Sequence, residues 1–121
     1  MAEALLAGGV DVIEITLRRA AGLAAIEAVA KAVPAMQVGA GTVTRASEVA
    51  QVMAAGARFA LSPGSTPALI NAVLDAGLPF IPGVGSPSEA MAMRDAGFTL
   101  MKCFPAAQLG GLASRSGVPN L

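Results

Sequence analysis

The stretch Ala55-Gly56-Ala57-Arg58-Phe59-Ala60-Leu61-Ser62-Pro63-Gly64 carries the phrase on which the fold turns. It reads as a helix closed by Ala-Gly, a short apolar strand, and a tight turn at the strand's end. The phrase returns as Ala76-Gly77 before Phe80-Ile81 and as Ala96-Gly97 before residues 100–104. It is announced earlier by Ala7-Gly8 before residues 10–17. Gly56, Gly77 and Gly97 follow one another at about 20 residues, the length of one supersecondary unit. The gap from Gly8 to Gly56 is about double and holds another unit, whose helix stops at Val33-Pro34 before Val38-Gly39-Ala40-Gly41. A glycine just past a helix end supplies a left-handed closing residue, and a proline stops a helix differently, by lacking the N–H.

Between these strands the apolar residues recur at the helical period. Ile26, Val29, Ala30 and Val33 form one stripe, Val49, Val52 and Met53 a second, and Leu69, Ile70, Val73 and Leu74 a third. Thr66-Pro67 sets a capping side chain before a proline at the first helical position; Ser86-Pro87-Ser88-Glu89 does the same and adds the glutamate of a capping box. The chain therefore predicts a partial helix followed by five strands with four helices between them. Strands that alternate with helices make a parallel sheet, because each crossover must bring the chain back to the same end. The fold class is α/β. Units this short favour part of a (β/α)8 barrel, five strands of eight; the competing arrangement is a flavodoxin-like open sheet. At 121 residues the chain reads as one incomplete domain, 1–121, against the roughly 200 or more residues of a complete barrel.

Composition removes several classes of function. Eight basic and eight acidic residues cancel and form no run of one sign, so no electrostatic grip on nucleic acid or an anionic membrane is encoded. Apolar residues reach 55%, yet no uninterrupted stretch approaches the ~18–20 residues of a membrane span. The opening residues lack a basic segment and read as half an amphipathic helix rather than a signal peptide. A single cysteine excludes an internal disulfide framework and suits the reducing cytoplasm. With no histidine, one cysteine and few clustered carboxylates, a protein-held transition metal is not expected. Gly39-Ala40-Gly41-Thr42 resembles a nucleotide loop only superficially. It lacks the third glycine and the later acidic residue of a dinucleotide site, and the Gly-Lys-Ser/Thr of a P-loop. Chemistry is left to Lys, Glu, Arg, Thr or Ser.

The chain has two lysines. Lys31 stands one helical turn after Glu27, where an i,i+4 pair accounts for it. Lys102 lies in Leu100-Met101-Lys102-Cys103-Phe104-Pro105, an apolar run that reads as a buried strand. Burial there would favour a neutral amine, the form that attacks a carbonyl to make a Schiff base. The plain alternative is a strand-end lysine that reaches out to solvent. In Val12-Ile13-Glu14-Ile15-Thr16-Leu17-Arg18, alternation puts Glu14, Thr16 and Arg18 on one side and Ile13, Ile15 and Leu17 on the other. The next strand is expected to place Ala40 and Thr42 on one face, and the last to group Leu100, Lys102 and Phe104. Glu14 and Lys102 thus pair a carboxylate with an amine on facing strands, near Arg18, Thr42 and the Ser62-Pro63-Gly64 turn at strand ends. A carboxylate can shuttle protons through a carbinolamine and imine, while an arginine and a hydroxyl suit a substrate carboxylate. A structural buried ion pair is the competing reading of Glu14 and Lys102.

Taken together, Ala7-Gly8-Gly9-Val10 through Glu14-Ile15-Thr16-Leu17-Arg18, Val38-Gly39-Ala40-Gly41-Thr42-Val43, Phe59-Ala60-Leu61-Ser62-Pro63-Gly64, Phe80-Ile81-Pro82-Gly83-Val84 and Lys102-Cys103-Phe104-Pro105-Ala106 closely resemble the 2-keto-3-deoxy-6-phosphogluconate (KDPG) aldolases. The resemblance covers roughly residues 2 to 107, with a divergent tail at 108–121. It implies a class I aldolase on a (β/α)8 barrel that yields pyruvate and glyceraldehyde 3-phosphate, with 4-hydroxy-2-oxoglutarate as an additional substrate. By that resemblance Lys102 is the Schiff-base lysine and Glu14 the general acid/base. Arg18, Thr42 and Pro63 hold the pyruvate carboxylate end, and Phe104 sits beside the imine. The resemblance implies no metal or cofactor, a cytoplasmic enzyme and a homotrimer. Relative to the family pattern, the first strand and the last two βα units are not represented. Two readings follow: an aldolase domain present as a fragment or completed by association, or a non-catalytic remnant acting as an interaction module.

Overall fold

A computed structural model describes residues 1–109. A short helix α1 (Ala2–Ala7) leads into β1 (Val12–Thr16), α2 (Gly22–Ala32), β2 (Gln37–Gly41), α3 (Ala46–Ala54), β3 (Phe59–Leu61) and α4 (Pro67–Ala76). Then come β4 (Phe80–Ile81), β5 (Gly83–Val84), α5 (Pro87–Asp95) and β6 (Lys102–Cys103). Every strand pairing is parallel, with β1 to β4 in one sheet and β5 paired to β6. Neighbours in the larger sheet follow chain order, β1-β2-β3-β4. A flavodoxin-like sheet reverses direction at a switch point. This one keeps moving one way, as the wall of a (β/α)8 barrel does.

The helices cover one face of the sheet. Ile26 of α2, Val49 and Val52 of α3, and Leu69, Ile70 and Val73 of α4 are buried against Val38, Ala40, Ala60 and Phe80. Two residues of the expected stripes are exposed rather than buried. Met53 and Leu74 remain 41% and 50% exposed, at the margin of their helix faces. Gly56, Gly77 and Gly97 adopt positive φ at helix ends as anticipated, whereas after α1 it is Gly9 at φ 88° rather than Gly8 that does so. The proline-led helices are capped as read: Thr66 Oγ1 accepts from the Leu69 N–H and Ser86 Oγ from the Glu89 N–H, both at 3.2 Å. Lys31 donates to Glu27 at 2.6 Å, and this hydrogen bond and charge hold the exposed Glu27 carboxyl below its ordinary value.

Strand extents differ from the sequence expectation in three places. The first strand is confined to Val12–Thr16 rather than residues 10–17. The fourth keeps its expected extent, Phe80–Ile81, but beyond Pro82, which has no N–H to continue a ladder, an additional strand follows as β5. The last pairs only through Lys102 and Cys103, leaving Leu100 62% exposed. At the break, side chains replace the ladder. Gly83 N–H donates to the buried Ser62 Oγ at 3.3 Å, and Ser65 Oγ donates to the Gly83 carbonyl at 2.8 Å. The tail expected to diverge, from residue 110 on, lies outside the described residues.

Candidate active site

The register fixes which side chains share the face away from the helices. Glu14 aligns with Gly39 and Thr16 with Gly41, while Ile13 and Ile15 align with the buried Val38 and Ala40. Phe59 aligns with Gly39, and Lys102 with Gly83. In a parallel sheet aligned residues point the same way. The open face therefore carries Glu14, Thr16, Gly39, Gly41 and Phe59. The expected grouping of Ala40 with Thr42 on one face is corrected here: Ala40 is fully buried under the helices. Thr42 escapes the alternation because its φ is +60°, a left-handed backbone that a β-branched residue seldom takes. That turn sets Thr42, half-buried, at the C-terminal end of β2.

The other candidates sit at the same rim. Pro63 follows β3 and is half-buried. It abuts Gly83 so closely that a Cβ on that glycine would run into the Pro63 carbonyl group. Phe104 follows β6, its N–H donating to the Val84 carbonyl at 3.0 Å, before a cis bond to Pro105. The Lys102 Nζ lies 5.2 Å from the centroid of the Phe104 ring, a cation–π approach. Arg18 stands in the turn after β1, where strand alternation no longer fixes its side. It is exposed and lines a shallow hollow of about 280 Å³ with Thr16, Arg19 and the start of α2.

Two expectations of burial do not hold: Lys102 is half-buried and Glu14 exposed. For the same reason they are not a buried ion pair. The ion pairs among the described residues are Lys31–Glu27 and Arg94–Asp95. The structure thus brings Lys102 and Phe104 together, and sets Glu14 on the same type of face without a direct contact between carboxylate and amine.

The sequence marked Gly39 and Gly41 only as part of a strand that ends in a tight turn, with no role of their own. They sit inside β2, and glycine within a strand marks close approach of another group. The Glu14 side chain lies over Gly41 and the Phe59 ring over Gly39. Ser62 was likewise read only as part of a turn and Ser65 was not singled out, though both bond to Gly83 at the break.

A family model described as KDPG and KHG aldolase matches residues 1–117. The chain belongs to this aldolase family. Its match runs past residue 107, where the resemblance in the sequence was placed. A 2-dehydro-3-deoxy-phosphogluconate aldolase of Pseudoalteromonas atlantica is 50% identical over 93% of this chain and 52% of the relative. The KHG/KDPG aldolase of Escherichia coli K12 is 46% identical over 98% of this chain and 55% of its own length. Among solved structures, the KDPG aldolase of Legionella pneumophila, with pyruvate captured as a covalent carbinolamine intermediate, superposes with a TM-score of 0.88. Its identity is 46%, over 97% of this chain and 58% of that one. The Zymomonas mobilis enzyme with 3-phosphoglycerate gives a TM-score of 0.89 at 41% identity, over 98% of this chain and 56% of its own. The chain spans about half the length of the aldolases it matches, and its fold is that part of their (β/α)8 barrel.

Proposed function

We propose that this chain is a class I aldolase unit that forms a Schiff base between Lys102 and the C2 carbonyl of pyruvate, acting on KDPG and on 4-hydroxy-2-oxoglutarate. The observation that carries this is Lys102 itself: a strand-borne lysine at the C-terminal rim, its amine 5.2 Å from the Phe104 ring. In (β/α)8 enzymes this rim is where chemistry occurs. A relative of the same family holds pyruvate as a covalent carbinolamine, which supports an amine nucleophile.

The steps follow from the groups present. The Lys102 amine adds to the C2 carbonyl, and the carbinolamine loses water to give an iminium ion. The Glu14 carboxylate takes the proton of the substrate's C4 hydroxyl as the C3–C4 bond breaks. The bonding electrons pass into the iminium nitrogen, leaving an enamine and releasing glyceraldehyde 3-phosphate. A proton returned to C3 restores the imine, and water releases pyruvate and the free amine. Arg18, Thr42 and Pro63 are assigned to the carboxylate end of pyruvate and Phe104 to packing beside the imine. We further assign the protein to the cytoplasm as one domain and to a homo-oligomer, trimeric as the family resemblance implies; sedimentation equilibrium tests the last point.

Borohydride reduction after incubation with pyruvate is the direct test, read by intact mass beside Lys102→Ala. A single pyruvyl adduct that disappears in the variant is expected. No adduct, or equal labelling of both proteins, would sink the assignment.

A further inference from the structure

Glu14 aligns with Gly39, yet its side chain does not rest there. It reaches two residues further along β2 and lies over Gly41, where a Cβ would clash with Glu14 Oε1 and crowd Cδ and Cγ at 2.7 and 2.9 Å. The place over Gly39 is already taken by the Phe59 ring, which comes across from β3 and would run into any Cβ on that glycine. Two glycines separated by one buried alanine thus make a trough on the open face of β2. Phe59 fills its lower half, and the Glu14 carboxylate fills the upper half, next to the rim. Neither glycine has a positive φ, so the backbone does not require glycine at either position. What requires it is the space.

We propose that Gly41 is a positioning residue: it is the seat that holds the Glu14 carboxylate at the C-terminal rim, with Phe59 over Gly39 as the backstop that keeps it from sliding down the strand. An exposed glutamate samples several rotamers, and a general acid/base acts only within hydrogen-bond reach of its proton. A seat cut into the neighbouring strand narrows that choice without a hydrogen-bonding partner. The catalytic use of the seat rests on the aldolase reading above; the seat itself does not.

Gly41→Ala tests it. The methyl group meets the far end of an exposed side chain that can swing away, so the fold should survive, checked by an unchanged melting curve. Two measurements follow. In the unaltered chain the Gly41 α-hydrogens should show a strong nuclear Overhauser effect to the Glu14 γ-hydrogens, and in Gly41→Ala the contacts of Glu14 to β2 should weaken. With pyruvate in D₂O, the Lys102 iminium loses a C3 proton to Glu14, becomes the enamine and takes up a deuteron. Deuterium incorporation should fall at least about tenfold in Gly41→Ala, and further in Glu14→Gln, in line with the ~10²–10⁴-fold worth of general acid–base catalysis. Borohydride trapping at Lys102 should stay intact in Gly41→Ala. A merely structural defect would lower trapping and exchange together. Absence of the Overhauser effect in the unaltered chain, or unchanged exchange in Gly41→Ala, overturns the seat. Failure of trapping in the unaltered chain would sink the aldolase reading alone, and the Overhauser effect would still decide the seat.

Discussion

At the scale of single residues, Thr42 is where the proposed function and the backbone conformation compete for one position. Its φ of +60° sits in a region that costs a non-glycine residue about 1–3 kcal/mol. A glycine would remove that strain and give back about 0.5–1 kcal/mol through the freer unfolded chain. Thr42→Gly should therefore match or exceed the original denaturant midpoint while requiring more pyruvate for the same extent of Lys102 trapping. A stability loss beyond about 1 kcal/mol would mean the threonine side chain is held by packing rather than retained for its hydroxyl. The residue types of the candidate site were legible in the sequence, since Glu14 and Lys102 are charges in strand-like runs with no local partner. Their surroundings were not. Alternation grouped Ala40 with Thr42, and one left-handed residue ends the period of two between them. The embedding expected of Glu14 and Lys102 belongs to a closed wall, and that is not a property of either strand.

Among the elements, the strand beyond Pro82 is the one that sequence patterning did not foresee. The apolar pattern marks Phe80-Ile81 and stops, yet after the missing N–H of Pro82 pairing resumes at Gly83–Val84. The repair comes from the end of the preceding unit, through Ser62 and Ser65. Ser62 is wholly buried, so its loss leaves the Gly83 N–H without a partner away from water. Ser62→Ala should cost about 1–3 kcal/mol and speed hydrogen exchange at Gly83. Retained stability together with an unchanged Gly83 amide would show that water or a backbone shift takes over the bond. The helix starts were easier to foresee. Thr66 and Ser86 bond within their own first turns, and local chemistry is what a sequence displays most directly. Met53 and Leu74 were harder, because a helical period places residues on a stripe but does not say how wide a stripe the sheet can cover.

For the whole molecule, the parallel order β1-β2-β3-β4 was readable from the recurring Ala-Gly phrase, whose units follow one another without a switch in direction. What surrounds the sheet was not, since edges are defined by what lies beyond them. Among the described residues β1 has a neighbour on one side only, and Val10 and Val12 beside that edge are 45% and 51% exposed. An open strand with apolar side chains invites pairing with another chain, and lysine is a usual deterrent. Val12→Lys should reduce concentration-dependent association in sedimentation velocity while leaving the melting temperature nearly unchanged. An identical size distribution would show that self-association, where it occurs, uses another surface. The chain-order sheet also sets a tempo. Val12 meets Gln37, Gly39 meets Phe59, Ala60 meets Phe80 and Gly83 meets Lys102, so each rung closes a loop of roughly 20–25 residues and never waits for a distant part of the chain. Such a molecule can be assembled in the order it is synthesised: the first β-α-β unit has all its own pairings before the lysine at residue 102 has left the ribosome. Lys102, the proposed nucleophile, thus arrives once the four strands of the larger sheet can already be paired.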